Sequence, residues 1–222
     1  MKVLKIEKVK FKKNAFKIFF DSGISIIILG DTIVKFSVKT GIELSDEEYK
    51  DMKSYDKSGR IMSDALALLA LRSYSSKVLQ DKLLKKGYDK NMSGVVIKRL
   101  EELNYINDDR FSKNYAFCMA HKGKGEFAIK AELEKHGIDK HLINEALEKV
   151  KSQEEPYERI IKIIRLKFKN FKCNDKNELR KTASFFLRRG FSSENIAKAF
   201  REYKNNYIRG ENNEYGVNQR VG

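Results

Sequence analysis

Tryptophan is absent from this chain, and its 222 residues include one proline and two cysteines. Cys118 and Cys173 lie far apart without CxxC spacing, which gives no support to a disulfide framework or a zinc finger, so we expect both to be buried thiols. Long apolar runs are also missing, because the longest, ISIIIL at 24–29, is far shorter than the ~20 residues that span a bilayer. No signal segment opens the sequence. We therefore expect a cytoplasmic protein without a membrane partner.

Acidic residues are too few to balance the basic ones, and the formal net charge is +15. The excess is uneven, since residues 159–209 hold 15 Lys or Arg against 4 Asp or Glu, a net charge of +11. Such a concentration of cations predicts a polyanionic partner, and nucleic acid is the first candidate because binding to phosphates releases counterions. The alternative is a basic surface that only keeps the protein soluble.

Residues 3–29 differ from the rest of the chain because β-branched and aromatic residues dominate them. Three such segments, separated by turn-like Lys-Asn and Asp-Ser-Gly, predict a small antiparallel sheet. A helix is then expected from a cap at Asp31 to Gly41. The next helix opens at Ser45, which forms a capping-box pattern with Glu48.

The remainder of the chain repeats one pattern three times, and Gly87, Gly137 and Gly190 mark equivalent positions 50 and 53 residues apart. In all three copies, the residues 1, 9, 10 and 13 positions after the glycine are apolar or aromatic. These twelve residues are Tyr88, Val96, Ile97, Leu100, Ile138, Ala146, Leu147, Val150, Phe191, Ala199, Phe200 and Tyr203. Spacings of one and then three residues form the buried stripe of a helix.

A repeat of this length predicts a three-helix unit copied in tandem. The glycine ends the second helix, because the left-handed position after a helix favours Gly, and Asp89, Asp139 and Ser192 or Ser193 cap the third helices. The predicted fold is mainly α, with three elongated tandem three-helix repeats, resembling helix-turn-helix units, behind a small N-terminal extension that contains β-strands. The predicted divisions are the extension at 1–55, repeat 1 at 56–106, repeat 2 at 107–153, a basic repeat 3 at 154–209 and a flexible tail at 210–222.

Several of these strings resemble a known family. ALRSYSSKVLQDKLLKKGYD, then LEELNYINDDRFSKNYA and HKGKGEFAIKAELEKHGID, resemble the RecX family of bacterial regulators of the RecA recombinase. The third unit matches chiefly through FFLRRGFSSENIAKAF. The resemblance implies a monomeric, non-enzymatic regulator that lies along the RecA filament on single-stranded DNA and limits strand exchange and repressor cleavage. No catalytic residue or cofactor comes with the family.

Ten basic residues are the candidate contacts with the filament or its DNA. Four of them, at i, i+3, i+7 and i+10 in the first helix of repeat 3, share one helix face. Two doublets precede turn glycines, where cations also complement the helix dipole, so a local stabilising role is their alternative. The set is Lys85, Lys86, Lys122, Lys124, Lys162, Arg165, Lys169, Lys172, Arg188 and Arg189.

A metal site, a phosphate-binding loop and a catalytic pair of carboxylates have weaker support in the sequence. Cys118 and His121 lie one helical turn apart, but His136 and His141 flank a turn, so a shared metal ion would need a special geometry. HKGKGE at 121–126 has glycine amides and lysines for a phosphate, yet it lacks the strand and the GK[ST] ending of a P-loop, which favours a helix connector. Acidic doublets fall near predicted helix ends. We therefore expect no metal, no cofactor and no catalytic residues.

Direct DNA binding is the rival function, because a helix, a glycine turn and a second helix also describe a helix-turn-helix. A recognition helix needs Arg, Asn or Gln near its start to reach base edges. Here the third helices begin with DKNMSG, DKHLIN and SSENIA, which contain no arginine. We expect weak binding to single-stranded DNA with little sequence preference.

Overall fold

The computed structural model describes the backbone of residues 1–10, 14–168, 171 and 174–217, and the side chains of these residues up to 205. This part of the chain forms three strands and then ten helices. The strands are β1 (Val3–Lys8), β2 (Ala15–Phe20) and β3 (Ser25–Leu29). The helices are α1 (Gly30–Lys35), α2 (Asp46–Leu71), α3 (Ser76–Lys85), α4 (Lys90–Glu102), α5 (Asp108–His121), α6 (Glu126–Lys135), α7 (Lys140–Gln153), α8 (Pro156–Lys167), α9 (Lys176–Arg188) and α10 (Ser193–Val217). The chain divides into two units, Met1–Ile106 and Asn107–Gly222.

The predicted N-terminal sheet is an antiparallel meander in the order β1–β2–β3. Lys5 lies opposite Phe19, and Phe16 lies opposite Ile28. A small sheet is stabilised when a helix packs against one of its faces, and α2 provides this packing. The core between them consists of Val3, Ile18, Phe20, Ile28, Val38, Leu44 and Met52.

Asp56 of α2 fixes the sheet to this helix. The side chain is only 6% exposed, and its Oδ1 accepts hydrogen bonds from Leu29 N at 2.6 Å and Thr32 Oγ1 at 3.1 Å. Arg60 donates from Nε to Asp56 Oδ2 at 2.7 Å and from Nη2 to Ile27 O at 2.8 Å. A buried carboxylate is tolerated when its oxygens are bonded in this way. The extension and the first helix of repeat 1 are therefore joined by one polar cluster.

The predicted capping box at the start of α2 is confirmed, with Glu48 N donating to Ser45 Oγ at 3.1 Å and Ser45 N donating to Glu48 Oε2 at 2.8 Å. Proline is absent from the segment that follows, and α2 continues through Gly59 to Leu71. The boundary predicted between residues 55 and 56 therefore lies inside a helix.

The helix predicted from Asp31 to Gly41 needs correction. α1 has Leu29 as its N-cap and ends at Lys35, two residues before Ser37 adopts a left-handed φ of 48°. Asp31 lies in the first turn instead, where its carboxylate favours the helix dipole.

Each repeat forms three helices around its own hydrophobic core. Repeat 1 is built from α2–α4, repeat 2 from α5–α7 and repeat 3 from α8–α10. All twelve residues of the predicted stripes belong to these cores, buried or packed against the buried residues. The prediction of three tandem three-helix units is confirmed.

The predicted turn chemistry is also confirmed. Gly87, Gly137 and Gly190 have φ values of 88°, 72° and 84°. A residue with a Cβ adopts such a left-handed backbone conformation only at an energetic cost. Asp89 caps α4 by accepting from Asn91 N and Met92 N, and these backbone hydrogen bonds, the one from Met92 foremost, lower the pKa of its carboxyl. Asp139 is the N-cap of α7 without a side-chain bond.

Two further expectations, the burial of Cys118 and a flexible tail from residue 210, differ from the structure. Cys118 is exposed, because α5 buries Ser112, Ala116 and Ala120, and a residue two positions from Ala116 faces the other side of a helix. Cys173 lies outside the described residues. α10 runs to Val217, past position 210 where the sequence predicts a flexible tail.

Candidate partner-binding surface

The first unit contains two of the ten candidate basic residues. Lys85 is exposed in the last turn of α3. Lys86 follows it as the C-cap, and its Nζ lies 3.0 Å from Asp64 Oδ2. Asp64 also accepts from Tyr88 Oη at 2.9 Å. Lys86 thus has a local ion pair, while Lys85 is open to solvent.

Repeat 3 presents most of its cations to solvent. Lys162, Arg165 and Arg188 are exposed, as predicted for contact residues. Lys162 also pairs with Glu154, with 2.5 Å between Nζ and Oε1. We call the ten exposed cations the basic surface of repeat 3: Lys162, Arg165, Lys167, Lys176, Arg180, Lys181, Arg188, Lys198, Arg201 and Lys204. The candidate residues Lys169 and Lys172 lie outside the described residues.

The segment 121–126 is a helix connector and offers few amides to a phosphate. Gly123 N donates to Ala120 O at 2.8 Å, and Lys124 N donates to Met119 O at 3.0 Å. Gly125 N donates to Arg189 O at 2.9 Å. Because these three amides are bonded within the protein, a phosphate would find no nest of N–H donors here. Lys122 is exposed and Lys124 is half-buried.

Repeats 2 and 3 meet where two turns touch through their backbones. Gly125 N donates to Arg189 O, and Phe127 N donates to Gly190 O, both at 2.9 Å. A Cβ added at Gly125 would overlap the carbonyl group of Gly190, and one added at Gly190 would overlap Ala128. Glycine is therefore needed at both positions for the close approach. We call residues 122–128 and 189–195 the turn junction.

Arg189 belongs to this junction, unlike its exposed neighbour Arg188. Its guanidinium donates from Nε to Gly123 O at 3.1 Å and from Nη2 to Lys122 O at 3.4 Å. The same group lies over the ring of Phe185, 4.9 Å from its centroid. These contacts join Arg189 to repeat 2, so its position is explained without an external partner.

Glu126 completes the junction by capping a helix of the neighbouring repeat. Its Oε1 accepts from Ser192 N and from Asn195 Nδ2, both at 3.0 Å. Ser192 in turn accepts from Asn195 N at 3.2 Å, which confirms it as the cap of α10. The roles of Glu126 and Gly125 could not be predicted from the sequence, because nothing in a local pattern shows that a turn touches another turn more than 60 residues away. A glutamate at the first position of α6 was the available signal.

Arg159 is the one basic residue of repeat 3 that the described part of the chain buries. It is 7% exposed, and its Nε has no hydrogen-bond partner among the described residues. Burial lowers the pKa of Arg159, and the carboxylates of Glu154, Glu126 and Glu155 act in the opposite direction. A charged group placed here is costly unless something pairs with it.

The metal hypothesis gains no support from the side chains that the structure describes, since no three His, Cys, Asp or Glu residues among them are grouped to hold an ion. His121 donates from Nδ1 to Phe117 O at 3.0 Å, because a carbonyl can only accept. His136 packs against the rings of both Phe111 and Tyr115, at centroid distances of 5.2 and 4.8 Å. None of the helices in the described part of the chain has the length and apolar character of a membrane span.

The fold and the surface define a repeat protein of three-helix units whose third repeat is strongly basic. Three family models match it: the first RecX three-helix domain at residues 62–100, the second at 107–147 and the third at 153–200. The chain belongs to the RecX family.

Relatives support this assignment, and solved structures share the fold. The regulatory protein RecX of Bacillus subtilis is 32% identical over 209 residues, covering 91% of this chain and 78% of the relative. That of Legionella pneumophila (strain Corby) is 35% identical over 152 residues, covering 67% and 98%. A crystal structure of regulatory protein RecX superposes with a TM-score of 0.70 at 20% identity, covering 89% of this chain and 98% of that one. The crystal structure of RecX from Lactobacillus salivarius gives 0.61 at 24% identity, covering 68% and 98%.

Proposed function

We propose that this protein binds the RecA filament on single-stranded DNA in the cytoplasm and, without catalysis of its own, limits the recombinase, ATPase and coprotease activities of RecA in DNA repair and the SOS response. Membership of the RecX family supports the partner. No metal or cofactor has a part in the proposal. The protein acts as a monomer whose repeats each contribute contacts.

The basic surface of repeat 3 is the observation that carries the proposal. Ten cations lie exposed within residues 159–205, where the described carboxylates number four. Cations packed at this density attract a polyanion and release its counterions, which gives affinity without sequence readout. A filament that exposes phosphates or acidic side chains along a groove would be such a polyanion.

Because several repeats belong to one chain, their individually weak contacts combine into a higher apparent affinity. Once one repeat is bound, the next contact is intramolecular, so linked contacts can raise the apparent affinity by about 10² to 10⁴ without a stronger single contact. We infer that Lys85 in the first unit and the basic surface of repeat 3 in the second contribute separate contacts of this kind.

A charge reversal in repeat 3 tests the proposal. The double variant Arg165→Glu and Arg188→Glu changes two exposed residues and leaves the turn junction, including Arg189, intact. We expect inhibition of RecA-driven ATP hydrolysis on single-stranded DNA to need at least about tenfold more of this variant than of the parent, since each lost phosphate contact and its linked valency lower the affinity.

The matched control is Lys50→Glu with Lys98→Glu, which makes the same change in net charge at exposed helix positions outside repeat 3. We expect the control to inhibit like the parent. Equal inhibition by both variants, with helicity preserved, would show that the basic surface of repeat 3 has no part in the contact.

The rival function, direct and sequence-specific DNA binding, predicts a different result. It requires nanomolar affinity for one duplex sequence at physiological salt. Titration of the parent with random duplexes and single strands, without RecA, distinguishes the two, because non-specific contacts lose affinity steeply with salt.

A further inference from the structure

Phe117 is an exposed aromatic residue on the outer side of α5. It is 42% exposed, whereas the same helix buries Ser112, Ala116 and Ala120. Its ring contacts that of His121 one turn later, with 4.0 Å between centroids and an angle of 44° between the planes. The hydrogen bond from His121 Nδ1 to Phe117 O holds the imidazole in place. The core of repeat 2 does not use this pair of rings.

Two cavities meet at Phe117, between α5, α7 and the start of α8. One has a volume of about 310 Å³ and the other about 230 Å³. Phe117, Val150 and Gln153 line both cavities. We call the two together the Phe117 groove; its polar and charged lining consists of Lys113, Asn114, His121, Lys149, Gln153, Glu154, Arg159 and Lys162.

The charge of this lining is mostly positive, with four cations against the single carboxylate of Glu154. Two of the cations already contact carboxylates, since Lys113 Nζ lies 2.5 Å from Asp109 Oδ1 and Lys162 pairs with Glu154. For Lys149 and Arg159 the described part of the chain contains no ion pair. Arg159 lines the groove and is 7% exposed, so an anion bound in the groove would stabilise its buried positive charge.

We propose that the Phe117 groove binds a nucleotide of an unpaired strand, with the base against the rings of Phe117 and His121 and the phosphates near Lys149, Arg159 and Lys162. This inference rests on the proposed function and names a contact to the single strand itself. An aromatic face beside cations is the arrangement that binds single strands without sequence preference, because every base has a stacking face. In a duplex those faces are covered, and only base edges and phosphates remain accessible.

The absence of tryptophan from the chain makes the groove directly observable. Phe117→Trp places a unique fluorophore in it, and Phe127→Trp places one on α6, where Phe127 is 61% exposed and does not line the groove. On titration with a short oligothymidylate, we expect the emission of the first protein to be quenched by stacking and that of the second to stay unchanged. An abasic strand with the same number of phosphates should quench neither.

A binding measurement on the full chain accompanies the fluorescence. Phe117→Ala should weaken binding to labelled oligothymidylate by about 5- to 150-fold, the range for the loss of one stacked base. Phe127→Ala should leave this affinity unchanged. Equal quenching of Phe117→Trp by polyglutamate would mean that the groove takes an acidic peptide, and the inference would be wrong. It would also be wrong if oligothymidylate failed to bind the parent, or bound without quenching Phe117→Trp.

Failure of this inference is distinguishable from failure of the proposed function. If the parent restrains RecA-driven ATP hydrolysis but Phe117→Trp shows no base-dependent quenching, the groove is not a nucleotide site and the regulatory function stands. If the parent leaves RecA unaffected while the groove binds a strand, the groove is a nucleotide site and the proposed regulatory function is wrong.

Discussion

Glycine has two distinct roles in the three repeat turns. At Gly87 an added Cβ would meet nothing within 4 Å, and only the φ of 88° favours glycine. At Gly190 the φ of 84° is combined with a close approach to Ala128 of the neighbouring repeat. The sequence shows the same residue in equivalent positions, but the reason for it differs.

Replacing these glycines with alanine should separate the two roles. Gly87→Ala should lower the free energy of unfolding by about 1 kcal/mol, the cost of a left-handed φ for a residue with Cβ. Gly190→Ala should lower it by an additional 1–3 kcal/mol or so, because the methyl group overpacks the turn junction. Urea unfolding followed by circular dichroism measures both changes. Equal losses in the two variants would contradict the close contact.

How well a residue's role can be predicted depends on how far away its partner lies in sequence. The predicted caps Ser45 and Asp89 bond within three residues, so the local pattern was sufficient. Arg189 bonds to a carbonyl 66 residues away, although in the sequence it forms a basic pair with the exposed Arg188. Nothing in the doublet itself shows which arginine folds inward.

At the scale of elements, the start of α10 depends on repeat 2. Glu126→Ala removes the acceptor for Ser192 N and Asn195 Nδ2. We expect a loss of about 0.5–2 kcal/mol of stability, as for other helix caps, and faster hydrogen exchange of the Ser192 amide. Glu134→Ala is the control, because Glu134 is exposed on the same helix. If the Ser192 amide exchanged equally fast in both variants, Glu126 would not act as a cap.

The sequence predicts helix starts better than helix lengths. The capping box of α2 was visible, but the continuation of this helix to Leu71 was not, since nothing local distinguishes a continuous helix from two helices in succession. Asp56 explains why continuity matters, because its bonds to Leu29 and Thr32 require that the sheet and α2 be placed together. A charged residue in the middle of a helix gives no hint of burial.

At the scale of the whole molecule, each of the two units holds its own cores. The first contains those of the sheet and repeat 1, and the second those of repeats 2 and 3. We therefore expect the fragments 1–106 and 107–222 each to unfold cooperatively in urea.

A fragment limited to residues 107–153 should be less stable than the same helices within 107–222. It lacks Arg189 and Gly190, the acceptors of two backbone hydrogen bonds, so a loss of about 1–3 kcal/mol is expected at 0.5–1.5 kcal/mol for each bond. Urea unfolding followed by circular dichroism, with hydrogen exchange at the Phe127 amide, measures this. Equal protection of this amide in the two fragments would argue against coupling between the repeats.

The overall plan was predictable because repetition reinforces a weak signal. Three superposed glycines with their apolar stripes identify the unit, although no single copy does. The Phe117 groove was not predictable in this way, since it lies between α5, α7 and α8 and so depends on how two repeats pack. Phe117 and His121 stand one turn apart, outside the stripe, and their spacing was the only trace.

The backbone bonds of the turn junction have a consequence for how such proteins diverge. Every amino acid except proline carries the same backbone N–H and C=O groups, so the bonds donated by Gly125 N and Phe127 N do not depend on the identity of the surrounding side chains. Homologues can therefore gain, lose or invert surface charges on repeat 3 while the backbone contact between repeats 2 and 3 stays the same. We expect the least substitution at Gly125 and Gly190, where any Cβ would overlap the opposite turn, and no proline at position 127.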